Sequence, residues 1–410
     1  MSLFSKLTNH YRQFTSLERL VGITLVVSVL LPHVAALYIV NPLLLLYLAF
    51  KYPRSGQLSI LQILMVLLII CSLVWNMFYG IPIDSKSMIR GVYIIELLIF
   101  FPYIGNVNFR NIYIYIIVSV ILLSQLAYVY GLGPIIGIID ILYPYTGDVV
   151  SESTDYLLEH SADATSLSDL QNIRFGGLFH NSNQCMKYIS MCAVIYAIEN
   201  YRSSIKIQIP FWIIVFSSAF LSGSRTGFVI VFATVALMLI FRKKQEISLK
   251  TLFVSALLVC GVFYLASEVL SSQFRMFDLK SGTSAGGSIS FKYANFAYYN
   301  NLVTEARQLI VGNFDVDSIR VVYHTPFSQF DSEWGNAVYF YGYIFIVVYF
   351  CFLAKTIGKL KGVNLIALLL FFWVISSTVL FSYRTSFAFF LILSRCVSNS
   401  KVLTYDTGRA

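Results

Sequence analysis

The chain has 410 residues, 58% of them hydrophobic and only 12% charged, with a mean hydropathy of +0.74, whereas an ordinary soluble domain carries roughly 25% charged residues. That balance excludes a soluble globular enzyme and predicts one polytopic, all-α membrane domain over 1–410. The net charge of +9, from 29 Lys and Arg against 20 Asp and Glu, is spread along the chain, so its placement matters more than its sum and it predicts no nucleic-acid partner.

A bilayer core about 30 Å thick is crossed by about 20 apolar residues in a helix. On that criterion transmembrane helices are predicted near 18–31, 34–50, 57–79, 88–103, 112–130, 176–198, 207–221, 226–241, 251–270, 335–354, 363–381 and 385–396, about twelve spans in all. Pro32 and His33 divide the first hairpin, and Arg384 divides the last apolar stretch into a full span and a short one. The first run lacks a small-residue cleavage site after a short apolar core, which predicts a retained helix rather than a signal peptide.

Lys and Arg in short loops stay on the cytoplasmic side. With the N-terminus inside, the inner side receives Lys6, Arg12, Arg19, Lys51, Arg54, Arg110, Arg202, Lys206, Arg242, Lys243, Lys244, Lys250, Lys355, Lys359, Lys361, Arg395, Lys401 and Arg409. Both termini are therefore expected in the cytoplasm. Segment 131–173 holds Asp140, Asp148, Glu152, Asp155, Glu159, Asp163 and Asp169 with no Lys or Arg, as expected of an outer loop. Two connections, an acidic loop over 131–175 and a larger one over 271–334, are much longer than usual and fall on that outer side.

Within the larger loop Ile289, Tyr293, Phe296, Tyr299, Leu302, Ala306 and Leu309 recur at spacings of three and four. They predict an amphipathic helix, lying at the membrane surface or serving as a lid on its own protein. The six cysteines, Cys71, Cys185, Cys192, Cys260, Cys351 and Cys396, lie in or beside apolar runs and read as small apolar filler. No zinc spacing, P-loop or dinucleotide fingerprint occurs, so no metal or nucleotide cofactor is expected.

Three polar clusters stand out, because ionisable groups in membrane spans are costly and default to functional candidates. The first runs from Arg174 through His180, Asn181, Asn183 and Gln184 to Lys187 at the outer mouth of a span. The second consists of outward arginines in tight turns, Arg225 in Ser-Gly-Ser-Arg-Thr-Gly and Arg384 in Ser-Tyr-Arg-Thr-Ser. With Arg174, Arg275 and Arg320 these supply guanidinium groups on one side of the membrane, suited to an anionic ligand at headgroup level or to headgroup anchoring. The third runs from Arg320 through His324, Asp331 and Glu333 into the span that begins near Gly335. A carboxylate pair beside a His offers general-base candidates. In a helix, Asp331 and Glu333 do not share a face, which leaves one of them a structural role.

These residues resemble the O-antigen polymerase and ligase superfamily, integral membrane glycosyltransferases acting on undecaprenyl-diphosphate-linked glycans. Arg174 to Asn183 looks like the family's Arg-x-x-Gly and Asn-Pro-Asn element, with Ser182 in place of Pro. Ser224-Arg225-Thr226-Gly227 looks like its Ser-Arg turn, and Arg275 and Gly286 are separated by ten residues as in the polymerases. The same spacing from Arg174 meets Cys185 rather than Gly. The family's ligases carry a His-Asn pair about eleven residues before a Gly after the large loop. Counting back from Gly342 gives Asp331-Ser332, and His324 lies seven residues too early.

The resemblance therefore implies a Wzy-type polymerase, joining lipid-linked repeat units at the periplasmic face of the bacterial inner membrane. It implies that Arg174, Arg225, Arg275 and Arg320 hold the pyrophosphate and that His180, Asn181, Asn183 and Arg384 contact substrate. Asp331, His324 or Glu333 would be the base. No cofactor is implied, and a chain-length regulator and a flippase are candidate protein partners. A ligase, or a transporter of lipid-linked sugars, are the alternatives.

Overall fold

The computed structural model describes residues 19–20, 22–24, 26, 40–51, 58–81, 83, 85–104, 111–142, 154–166, 169–170, 173–179, 181–243, 261, 265, 270, 306–314, 333–377, 379–381 and 383–407. Among them every regular element is helical. In chain order these are α1 (Asn41–Lys51), α2 (Ile60–Phe78), α3 (Ser85–Ile104), α4 (Asn111–Val129), α5 (Gly133–Leu142), α6 (Thr154–Asp163), α7 (Ser182–Asn200), α8 (Ile205–Ser222), α9 (Arg225–Lys243), α10 (Ala306–Val311), α11 (Glu333–Ile357), α12 (Phe371–Ser376) and α13 (Tyr383–Thr407). Short 3-10 segments cover Gly177–Phe179 and Gly362–Leu370.

Five of these helices, α2, α4, α8, α9 and α11, are long and apolar enough to cross a membrane. Their outward faces carry large apolar side chains, such as Ile63, Leu67, Ile70 and Val74 on α2 and Ile112, Ile116 and Leu123 on α4, as expected of a surface that meets lipid. Helix α7 is different: every residue from Cys185 to Ala197 is buried, and it packs against α4, α8, α9 and α13. A helix enclosed all round can carry polar groups that a lipid-facing helix cannot, and α7 holds Lys187, Ser190 and Asn200 in its buried surface.

The end of the chain departs from expectation. The predicted span 363–381 is not one α-helix but the 3-10 segment Gly362–Leu370, then α12, with residues 377 and 379–381 outside any helix. The short span expected at 385–396 is the 25-residue α13. Arg384 sits in its first turn instead of ending a helix, and at the other end polar residues extend the helix where hydropathy stops marking it. Within the predicted outer loop 131–175 the structure forms α5 and α6. Of the amphipathic segment 289–309 only 306–309 is described; it belongs to α10, which packs between α2 and α11. The predicted spans at 18–31 and 251–270 lie largely outside the described residues.

Helix α11 is broken at Gly342, whose φ of 81° and ψ of 173° interrupt it about 14 Å along from Glu333 at 1.5 Å per residue. The break lets α10 approach closely: a Cβ at Gly342 would lie 2.2 Å from the Ile310 carbonyl oxygen, and one at Gly312 would lie 2.3 Å from that of Phe340. The Asn313 N–H donates to the Tyr339 carbonyl, and the Ser72 hydroxyl from α2 reaches the carbonyls of Val311 and Phe340. Backbone at this φ and ψ is essentially open only to glycine and costs another residue about 1–3 kcal/mol before any clash. Gly342→Ala should lower the thermal midpoint of the detergent-solubilised protein by several degrees. Gly137→Ala, inside a helix where a Cβ meets nothing within 4 Å, should hold the midpoint or raise it slightly; a Gly342→Ala midpoint equal to the parent's would show that the break needs no glycine.

Candidate functional site

Helices α7 and α9 begin beside one another. Asn181 caps α7, its side chain accepting from the N–H groups of Asn183 (2.9 Å) and Gln184 (3.1 Å). The carboxamide oxygen of Asn183 then accepts from the Arg174 guanidinium (3.1 Å) and the Ser224 hydroxyl (3.4 Å). Ser224 immediately precedes Arg225, the first residue of α9. The two helices cross closely at Gly227, where a Cβ would lie 2.4 Å from the Met186 side chain. Arg174 and Arg225 are both half-buried.

The segment before α7 is held by its neighbours. Arg174 is the one non-glycine residue with positive φ, 65°, among the described residues, a conformation L-residues seldom adopt. Next to it the Phe175 N–H donates to the Leu221 carbonyl at the end of α8 (2.9 Å), while the Gln125 carboxamide of α4 donates to the Phe175 carbonyl (2.9 Å) and the Ser218 carbonyl (3.1 Å). Ser218 returns a hydrogen bond to Gln125, and Leu178 N–H donates to the Ser124 hydroxyl (3.0 Å). Gly177, with φ 58°, allows the closest approach, since a Cβ there would lie 2.4 Å from the Ser124 oxygen.

The resulting junction is cationic. Two helix N-termini present the positive ends of their dipoles, the Arg174 guanidinium lies beside them on Asn183, and the half-buried Arg225 opens α9, an arrangement that favours an anion with several oxygens.

A second polar centre surrounds Glu333 at the start of α11. Its carboxylate is fully buried and accepts from Tyr349 (3.1 Å) and from the backbone N–H groups of Val379 (2.9 Å) and Leu380 (2.8 Å). The buried Lys187 of α7 acts electrostatically on the same carboxylate. Lys187 of the first sequence cluster thus lies within electrostatic range of Glu333 of the third. Three donors hold Glu333 against the non-helical 379–380 segment, which is the geometry of an anchor for the approach to α13.

Of the other residues singled out by sequence, His180, Arg275, Arg320, His324 and Asp331 lie outside the described residues, and for Arg384 only the backbone is described. Asn181 and Asn183 join Arg174 and Arg225 in the junction. Gln125 and Ser218 were not anticipated, although a Ser-Gln pair within the apolar run 112–130 was a readable signal, since a carboxamide in a bilayer needs partners.

Together these features define an all-helical membrane protein with a cationic junction where two helices begin. No family model matches the chain, and no curated protein sequence matches it.

Glu333→Gln removes an acceptor and turns an N–H pair toward a donor in a buried site, so the detergent-solubilised variant should unfold at a lower temperature by an amount corresponding to roughly 1–3 kcal/mol. An unchanged midpoint would remove the anchoring role.

Proposed function

We propose that the chain is a membrane glycosyltransferase that polymerises undecaprenyl-diphosphate-linked oligosaccharide units into O-antigen or a related polysaccharide, at the periplasmic face of the bacterial inner membrane. One observation carries this reading: Arg174 and Asn183 of one motif and Ser224 of another, next to Arg225 and 41 residues beyond Asn183 along the chain, meet in one hydrogen-bonded junction.

In this reaction the bond between the donor sugar's anomeric carbon and the carrier phosphate breaks. A new bond forms to the acceptor hydroxyl oxygen, whose proton passes to a base or to water, and the lipid diphosphate departs carrying the negative charge. Guanidinium groups and helix N-termini aimed at that charge stabilise it in the transition state without a nucleotide. In this reading Arg174 and Arg225 hold the diphosphate, and Asn183 fixes the Arg174 guanidinium through its hydrogen bond. The further roles of Arg275, Arg320, His180 and Arg384 in substrate binding, and of His324 or Asp331 as base, rest on the resemblance. Glu333, closed in by three donors, suits support of the site better than proton transfer.

A transporter of lipid-linked sugars is the second reading, favoured by one feature: discontinuous helices such as α11 are common at transport sites. Incubating purified protein in detergent with lipid-linked repeat units separates the two, because elongated product there excludes a pure transporter. In cells, Arg174→Gln and Arg225→Gln should each abolish long-chain glycan while the protein stays in the membrane. Normal chain length in both variants would sink the assignment, and carrier-linked polymer accumulating in a deletion strain would point instead to the ligase.

A further inference from the structure

Helix α5 serves neither the junction nor the Glu333 centre. It begins four residues after α4 ends, past a turn at Gly131 with φ 60°, and its ten residues rise only about 15 Å, half a bilayer core. Nine of the ten are Gly, Pro, Ile or Leu. Ile136 and Ile139 are buried against the protein, whereas Leu132, Ile135, Ile138 and Ile141 stay exposed at a three-residue spacing, Ile138 by 59% and Ile141 by 81%. The remaining residue, Asp140, does not share that exposed face. It accepts hydrogen bonds from the Tyr128 hydroxyl of α4 (3.3 Å) and the Thr154 hydroxyl of α6 (3.1 Å).

The exposed stripe has a direction. Ile112, Ile116, Leu123 and Tyr130 form one outward file along α4, with spacings of four, seven and seven residues that keep them on one helix face. The file leads into Leu132 and the isoleucines of α5. Beyond it the surface changes character: α6 exposes Asp155, Glu159, His160 and Asp163, and its Ser161 hydroxyl donates to the Tyr128 carbonyl (3.2 Å) at the end of α4. An apolar helix too short to span, continuous with a lipid-facing surface and followed by an acidic helix on the same anchor, is the pattern of an element seated at a membrane interface.

We propose that α5 is an interfacial helix whose Leu132–Ile141 stripe is embedded among the acyl chains of the leaflet at the C-terminal end of α4, with α6 above it in water. The occupant of the stripe is lipid, not a second copy of the chain. A depth follows for the cationic junction. Gln125 binds the Phe175 carbonyl next to Arg174, and Tyr128 binds Asp140 of α5; these two positions on α4 are about 5 Å apart along the helix axis. The Arg174 junction therefore sits close to the level of α5, at the boundary between acyl chains and headgroups, and an anion that it takes comes from the membrane plane.

The test uses the full chain with its cysteines replaced by alanine, in vesicles of phosphatidylcholine and phosphatidylglycerol. Single nitroxide labels are placed at Ile135, Ile138, Ile141, Asp155 and Glu159. The three α5 labels should relax strongly with oxygen and at least fivefold less with a water-soluble nickel chelate, and the two α6 labels should do the reverse. Hydroxyl-radical footprinting of the unmodified chain in the same vesicles should oxidise Tyr156 and His160 and spare the α5 isoleucines. Nickel-accessible α5 labels, or isoleucines oxidised as readily as α6, would overturn the proposal. So would α5 labels shielded from both relaxants and coupled between copies, which would mark a protein interface.

Discussion

A backbone N–H or carbonyl inside a bilayer has no water to bond, and leaving it unpaired costs several kcal/mol. Continuous helices meet that requirement internally, but this chain interrupts its helices, and at three interruptions among the described residues a side chain from another element supplies what the helix no longer does. Gln125 and Ser124 serve the segment before α7. Ser72 serves the carbonyls of Val311 and Phe340 beside the break in α11, and Glu333 serves the N–H groups of Val379 and Leu380 before α13. Remove these few polar side chains and the breaks become untenable.

The breaks matter because they create helix ends inside the bundle, and helix ends are where polar chemistry is possible in an apolar medium. The cationic junction is of this kind. It exists because α7 and α9 start at the same place, with Asn183 accepting from residues on both sides, and because α7 is enclosed, so that charge near its N-terminus is shielded from lipid. The clamp from α4 holds Arg174 in a backbone conformation that its own preferences disfavour. Strain of this sort persists only where surrounding contacts over-determine it, and such positions cluster at functional sites.

The contacts also sort into two ends. Asn111 of α4 meets Asn200 of α7 (2.8 Å), Gln208 of α8 donates to the Asn200 carbonyl (2.7 Å), and Arg395 of α13 pairs with Glu199 (3.1 Å). At the opposite ends of the same helices lie Gln125, Arg174, Asn183 and Ser218. The basic residues of the sequence predict the helix ends around 110 and 202 on one side and those around 131, 174 and 225 on the other. The tertiary contacts of these helices join ends within each group.

By itself the sequence determined which stretches are apolar and which polar residues are out of place among them, since hydropathy and charge belong to a segment and survive without knowledge of its neighbours. Arg174, Asn183, Arg225 and Glu333 were legible in that sense. What each of them touches was not. That Glu333 meets the backbone of 379–380, that Gln125 reaches Phe175, and that the last apolar stretch divides into a 3-10 segment and α12 before a long α13 were decided only by tertiary structure. Those outcomes depend on pairs of groups brought together from distant segments, and the demand of every buried polar atom for a partner can be solved only when all the candidate partners are in place.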